Sequence, residues 1–353
     1  MSNRAVLLFI LAAVLLGALS LVALQLSSPV PIETGEGFLV PDFGSQADGA
    51  AEIEIRTNMA TLRLQRRDGV WTLPDKTGIE AKQDKVRALL IGLAELSSDD
   101  PKTTNPVNYG RIGVDDPGEP GSRATRVTVR DGDGNELASV LVGNQVAGRS
   151  RFVRVEGDER SWLAEVTFDA STEASLWMDT TLMRVDGDRI ESMTITHPSG
   201  EVMSISRTSA DQENFTVEPI PQGRTLRSES IANPMTRALT NLTFEDVRSG
   251  ARPLDEESVT TVIYQTFDGL IISLHIGDED GMRWATITVS GDGTPQGLDE
   301  LRARVANRQF LLPGWSATNM TRHLAELLAP ADAPAEGPRG TPPALGPVLD
   351  PGG

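Results

Sequence analysis

The chain has 353 residues, of which 50 are acidic and 32 basic, for a formal charge of −18. That balance excludes a nucleic-acid binder, which needs clustered Lys and Arg against phosphate, and disfavours lying flat on anionic lipid. With no cysteine there is no disulfide framework, no lipoprotein acylation site and no thiolate chemistry.

Residues 1–4 precede a run of 22 residues without charge, residues 5–26, reading AVLLFILAAVLLGALSLVALQL. At about 1.5 Å per residue such a helix would be roughly 33 Å long, enough for a hydrocarbon core of about 30 Å. Arg4 lies before it; Glu33, Glu36 and Asp42 follow, and no Lys or Arg appears until Arg56. This predicts a single-pass helix in a bacterial inner membrane, with the N-terminus cytoplasmic and the bulk of the chain periplasmic. A cleaved signal peptide is the alternative, with Ala18-Leu19-Ser20 as the small-residue site. Against it, the apolar run exceeds a usual signal core of roughly 7 to 15 residues.

Residues 27–50 contain Pro29, Pro31 and Pro41 and read as a linker. From there to residue 185 a first α+β repeat is expected. Residues 51–57 alternate as AEIEIRT, a half-buried strand, and the alternation continues through Leu62, Leu64, Val70 and Trp71 across an Asp68-Gly69 turn. Val86, Leu89, Leu90, Leu93 and Leu96 recur at helical spacing within residues 82–96. Residues 126–130, 137–142 and 151–155 read as an antiparallel meander punctuated by Gly132, Gly134 and Gly143, residues 162–168 as one more strand, and residues 171–182 as a short helix.

The pattern then restarts, and residues 186–328 read as a second α+β repeat with C-terminal helices. Strands are expected over residues 190–195, 201–207 and 214–218, a helix over 231–242, and a second meander over 260–265, 270–274 and 282–289. Further helices are expected over 298–307 and 317–328. Leu89, Leu93 and Leu96 match Met235, Leu239 and Leu242 at an offset of 146, Thr125 matches Thr261 at 136 and Gly143 matches Gly277 at 134. A longer loop at residues 101–122 of the first copy accounts for the change. Residues 329–353 are dominated by Pro, Gly and Ala and read as a disordered tail. The expected fold class is therefore α+β: an N-terminal transmembrane helix, then two similar strand-rich units, each with a β-hairpin, one packed helix and an antiparallel meander.

Nothing in the sequence marks a catalytic, cofactor or metal residue. Asp131-Gly132-Asp133-Gly134-Asn135 opens like a calcium loop, but Glu136 stands where Gly is needed and Val142 where the bidentate Glu belongs, so a hairpin turn is expected. The runs Asp255-Glu256-Glu257 and Asp278-Glu279-Asp280-Gly281 read as solvated loops. His197, His275 and His323 lie far apart without ligand spacing. There is no Gly-x-Ser-x-Gly elbow, and no lysine follows a glycine as a phosphate loop requires. Trp71, Trp162, Trp177, Trp284 and Trp315 fall mostly at strand positions and are expected in the core.

Several local patterns together resemble a known family. They are Asp68-Gly69-Val70-Trp71 with Leu73, the helix bearing Asp84, Val86, Leu89, Leu90, Leu93 and Leu96, and the Tyr109-Gly110 loop ending at Pro117. Leu141-Val142-Gly143, Phe152-Val153-Arg154 and the stretch from Leu176 to Arg184 complete the set. This order resembles the membrane-anchored bacterial family catalogued as domain of unknown function 4340, associated with gliding-motility-type ABC transporters. The resemblance implies a periplasmic partner of such a transporter. The expected function is thus a non-enzymatic accessory protein, held in the inner membrane through residues 5–26, with an ABC-transporter permease as partner and no nucleic acid or cofactor. An envelope module binding glycan or peptide is the alternative, and a periplasmic hydrolase with a site assembled from distant residues comes third.

Overall fold

The structure is a computed structural model that describes residues 37–97, 100–291 and 295–330. The chain divides into two compact units, one ending at Met178 and the other starting at Asp179.

The first unit is a nine-stranded antiparallel sheet in the order β4-β3-β2-β1-β6-β7-β8-β9-β5. Its strands are β1 (Ala50–Arg56), β2 (Thr61–Arg67), β3 (Val70–Leu73), β4 (Ile79–Glu80), β5 (Asp100–Pro101), β6 (Thr125–Asp131), β7 (Glu136–Ala147), β8 (Ser150–Val155) and β9 (Ser161–Glu165). Period-2 alternation decides their inner face: Ile53, Ile55, Leu62, Leu64, Val127 and Val129 are buried while their neighbours face out. A four-residue helix α1 (Phe43–Gln46) precedes β1, and α2 (Gln83–Ala94) follows β4. Val86, Leu89 and Leu93 of α2 are fully buried, as their spacing dictates. Short helices α3 (Tyr109–Ile112) and α4 (Ala174–Trp177) complete the unit.

The second unit holds an eight-stranded antiparallel sheet in the order β13-β12-β11-β16-β17-β18-β19-β15. The strands are β11 (Ile190–Thr196), β12 (Val202–Ser206), β13 (Thr216–Glu218), β15 (Asp246–Ser249), β16 (Thr260–Thr266), β17 (Leu270–Glu279), β18 (Met282–Gly291) and β19 (Arg308–Leu311). A separate pair joins β10 (Thr181–Met183) to β14 (Leu242–Thr243). The helices are α5 (Asn233–Thr236), α6 (Leu298–Val305), α7 (Gly314–Met320) and α8 (Leu324–Leu327). Tyr264, fully buried, donates its hydroxyl to the Met235 carbonyl at 3.0 Å and so ties α5 to the sheet.

The run β3-β2-β1-β6-β7-β8-β9 of the first sheet has the same order as β13-β12-β11-β16-β17-β18-β19 of the second. The register agrees as well. Ile53 pairs with Leu64 and Val129, as Met193 pairs with Ile205 and Tyr264. Both central pairs slip at the same place, between Ala50 and Glu52 and between Ile190 and Ser192. The turns after β6 and β16 each place a glycine, Gly134 and Gly269, at φ 85° and 86°, where a side chain would be strained. The two sheets thus repeat one another in strand order, register and turn. The pairing register puts Arg126, not Thr125, at the place of Thr261.

The expected fold class needs correction. The described residues are predominantly antiparallel sheet, and the helices among them are short. Residues 5–26, read as a transmembrane helix, lie outside the described residues. Among the described residues no helix is long and apolar enough to cross a membrane. The 12 residues of α2 span about 18 Å, short of a bilayer core of about 30 Å. Nor does each unit carry an equivalent packed helix. Over residues 231–242 the second unit has only α5, a 3₁₀ turn at Arg237–Leu239 and then β14. Asn233 and Pro234 open that segment, and one α-helical turn is all it completes. The linker expected over residues 27–50 is folded from Gly37 onward, with Phe43 fully buried and the Leu39 N–H donating to the Leu96 carbonyl at 2.7 Å. The expected last helix over 317–328 is two pieces, α7 and α8, and the expected tail lies outside the described residues from residue 331.

Candidate functional site

Two features of the second unit stand out from the rest of the molecule. The first is the outward face of its sheet. Cross-strand pairing aligns three rungs over β12, β11, β16, β17 and β18. They read Val202–Thr196–Thr261–His275–Thr286, then Ser204–Thr194–Ile263–Ser273–Thr288, then Ser206–Ser192–Gln265–Ile271–Ser290. None of these fifteen positions is Asp, Glu, Lys or Arg, in a chain where 23% of residues are. Val202 is 50% exposed and Ile263 39%. Charge returns at the rim, with Glu218 of β13 opposite Ser204.

The equivalent face of the first sheet has the opposite character. Glu52, Glu54, Arg56, Arg63, Arg126 and Arg130 occupy the positions of Ser192, Thr194, Thr196, Ser204, Thr261 and Gln265. There Arg130 reaches Glu52 at 2.9 Å, Arg63 reaches Glu54 at 3.4 Å and Arg126 reaches Glu156 at 3.0 Å. The long side chains bury Thr128 and Ser139 beneath them. Alongside, the loop bearing Tyr109, Ile112 and Val114 packs on Leu141 and Phe152. Gly143 permits that approach: a Cβ there would collide with the carbonyls of Ile112 and Gly113. One sheet face is thus closed by its own ion pairs and loop, while its counterpart is neutral and open.

The second feature is a cluster of His197, Glu201 and His323, each with a ligand-type atom within 4.8 Å of the others'. His197 and Glu201 flank the β11–β12 turn, closed by the His197 N–H on the Glu201 carbonyl at 2.9 Å. His323 arrives from the break between α7 and α8. That break has local causes. The Thr321 hydroxyl bonds back to the Ala317 carbonyl at 2.9 Å, the His323 N–H donates to Glu326 Oε1 at 2.9 Å, and the Leu324 N–H donates to Glu201 Oε1 at 2.8 Å. With those donors engaged outside the ladder, the helix stops and presents His323 to Glu201.

His197 is 4% exposed. Its ring stacks on that of His323, centroids 3.9 Å apart and planes 16° from parallel. Its Nδ1 lies 3.4 Å from Thr260 Oγ1 and its Nε2 3.4 Å from the Arg322 carbonyl. His323 Nδ1 lies 3.2 Å from Glu201 Oε2. Burial, and then the neighbouring His323, push the His197 imidazole below its ordinary value, which keeps the ring neutral. The Leu324 N–H, together with His323, holds the Glu201 carboxyl below its ordinary value and so ionised.

The other sequence candidates take structural places. His275 sits on the neutral face, its Nδ1 3.1 Å from Thr261 Oγ1. Asp131 accepts the N–H groups of Asp133 and Asn135 at 2.9 and 2.8 Å, which makes the calcium-like segment an Asx turn between β6 and β7. Asp278 accepts the Gly281 N–H at 2.9 Å and pairs with Arg283, and Asp255 accepts the Glu257 N–H at 3.2 Å. Trp71, Trp177 and Trp284 are buried as expected, but Trp315, at the start of α7, is 63% exposed. Sequence spacing could not find the pairing of His197 with His323, because 126 positions separate them. The neutral face did leave a signal, in the alternation of hydroxyl and apolar residues along IESMTIT and VMSIS.

These features define a duplicated antiparallel β-protein with one open, uncharged sheet face. The chain belongs to the family described as Domain of unknown function (DUF4340), whose model matches residues 71–261. The match runs from β3 of the first unit into β16 of the second. No curated protein and no solved structure matches the chain.

Proposed function

We propose that the protein is a non-enzymatic accessory protein of the bacterial envelope that docks a partner protein on the open face of its second sheet. The neutral rungs carry this reading, set against the ion-paired counterpart face in the first sheet. On a chain of charge −18, a partner can cover this surface without desolvating an unpaired ion, which is the costly part of burying polar surface. The occupant that fits is a protein segment presenting hydroxyl and apolar side chains, not a basic one. Five strands at about 4.8 Å spacing and three rungs about 7 Å apart cover on the order of 400 Å². That is about half of one side of a standard interface, so the docking is transient or part of a larger contact.

An integral component of an ABC-type transporter is the partner we favour, by analogy with the resemblance drawn from the sequence. The uncharged stretch at residues 5–26, followed by an acidic flank, supports a location outside the cytoplasm. The test places a photo-crosslinking residue at Ile263 or Ser273 in living cells, with Arg63 on the first sheet as the control position. A discrete adduct with a membrane protein from the two face positions alone is expected. Ile263→Glu should remove it while leaving the melting temperature nearly unchanged, since Ile263 is a surface position. No adduct, an adduct with a second copy of the chain, or equal adducts from Arg63 would each overturn the reading.

A further inference from the structure

The geometry points to a divalent transition-metal site built from His197, Glu201 and His323, with zinc as the type ion. This goes beyond the docking reading and does not depend on it. Two imidazoles and one carboxylate are the donor set of many zinc centres, and a fourth position stays open for water or a carbonyl. Around the cluster the polar contacts are long for hydrogen bonds. His323 Nδ1 stands 3.2 Å from Glu201 Oε2, and His197 Nε2 stands 3.4 Å from the Arg322 carbonyl. A charged N–H···O bond would settle at about 2.7–2.9 Å and a neutral one at about 2.9–3.0 Å. Bonds of about 2.0–2.1 Å to a tetrahedral zinc instead place neighbouring ligand atoms about 3.3 Å apart. One ligand-type atom from each of the three residues lies within 4.8 Å of the others', close enough for a single ion to gather them.

The surroundings resemble the outer support of a metal centre. Thr260 Oγ1 faces His197 Nδ1 and the Arg322 carbonyl faces Nε2, both at 3.4 Å, so coordination through Nε2 gives up one long contact and keeps the other. The Leu324 N–H engages Glu201 Oε1, and Oε2, which faces His323 Nδ1 at 3.2 Å, is the oxygen on the side of the two imidazoles. His197, 4% exposed, cannot turn to solvent for a better partner. One rearrangement is required. An imidazole binds a metal along a lone pair in its ring plane, so two stacked rings cannot share one ion. The His323 side chain is 50% exposed and lies on the short connection between α7 and α8, so it is the ring that swings out of the stack. Binding thus exchanges a ring stack for coordination and ties the β11–β12 turn to the C-terminal connection through an ion.

The test uses the full chain, stripped with chelator and dialysed, then titrated with zinc chloride alone in a calorimeter and in thermal melts. One zinc per chain and a rise in melting temperature are expected. His323→Ala, at a half-exposed position that the fold tolerates, and Glu201→Gln should each weaken zinc binding at least tenfold, while His275→Ala leaves it unchanged. Cobalt substituted for zinc should give the visible absorption of a tetrahedral site in the wild type and lose it in His323→Ala. Absence of stoichiometric binding, or equal binding by His323→Ala, would overturn the assignment.

Discussion

Individual side chains hold this protein together by ties that leave no pattern in the sequence. Lys85 on α2 is one. Its Nζ lies 2.6 Å from Asp169 Oδ2, donates to the Leu176 carbonyl at 3.1 Å and sits 4.5 Å above the Trp177 ring. Burial pushes the Asp169 carboxyl up, but the bond from Lys85 and the nearby N–H groups outweigh it, so the net displacement is downward. A carboxyl whose folded value lies below its unfolded one adds stability above the ordinary aspartate range, near pH 4, and loses it as pH falls through the folded value. The melting-temperature gap between wild type and Asp169→Asn should therefore be open at pH 7 and close below about pH 4. A gap that stays constant on acidification would show that the pair contributes nothing through its charge. Arg207 is a second hidden tie. It is buried without a carboxylate, donating to the carbonyls of Gly187, Ile190, Ala210 and Gln212 and resting against Phe215. In sequence it is one arginine at a strand end, and nothing local tells it from an exposed one.

Elements were more legible than residues, and strands more than helices. Period-2 alternation placed β1, β2, β11, β12 and β16 within a residue or two, because each of these strands buries one face. The helix spacing from Val86 to Leu93 was also real. Leu93→Ala should cost about 2–5 kcal/mol, since a fully buried leucine leaves a cavity when truncated. A denaturation midpoint equal to that of wild type would show that α2 is not packed there. The same spacing misled over residues 231–242 and 317–328. In the first stretch the apolar residues belong to α5, a 3₁₀ turn and β14 in succession, each buried for its own reason. In the second, Glu201, brought in from far along the chain, takes the Leu324 N–H that a continuous helix would use. Tertiary hydrogen bonds of that kind override local propensity and cannot be read from a window of sequence.

At the scale of the whole molecule, repetition in the sequence was weak but its structural trace is detailed. Offsets of 140 and 141 relate β1 to β11 and β2 to β12, and 135 relates β6 to β16, so insertions lie in connections and the sheet registers are kept. Each unit has its own core: Ile53, Leu64, Leu89 and Val140 in the first, Met193, Ile205, Tyr264 and Leu274 in the second. Fragments 37–178 and 179–330 should therefore each give a cooperative thermal transition by circular dichroism. Featureless melting of either alone would show that it is not a folding unit.

The slipped register is common to β1–β6 and β11–β16 although one outer face is ion-paired and the other uncharged. Backbone pairing is set by the inward alternation of each strand and does not depend on what the outward side chains carry. The outer surface of such a sheet can therefore pass from ion pairs to hydroxyls without moving the strands beneath it.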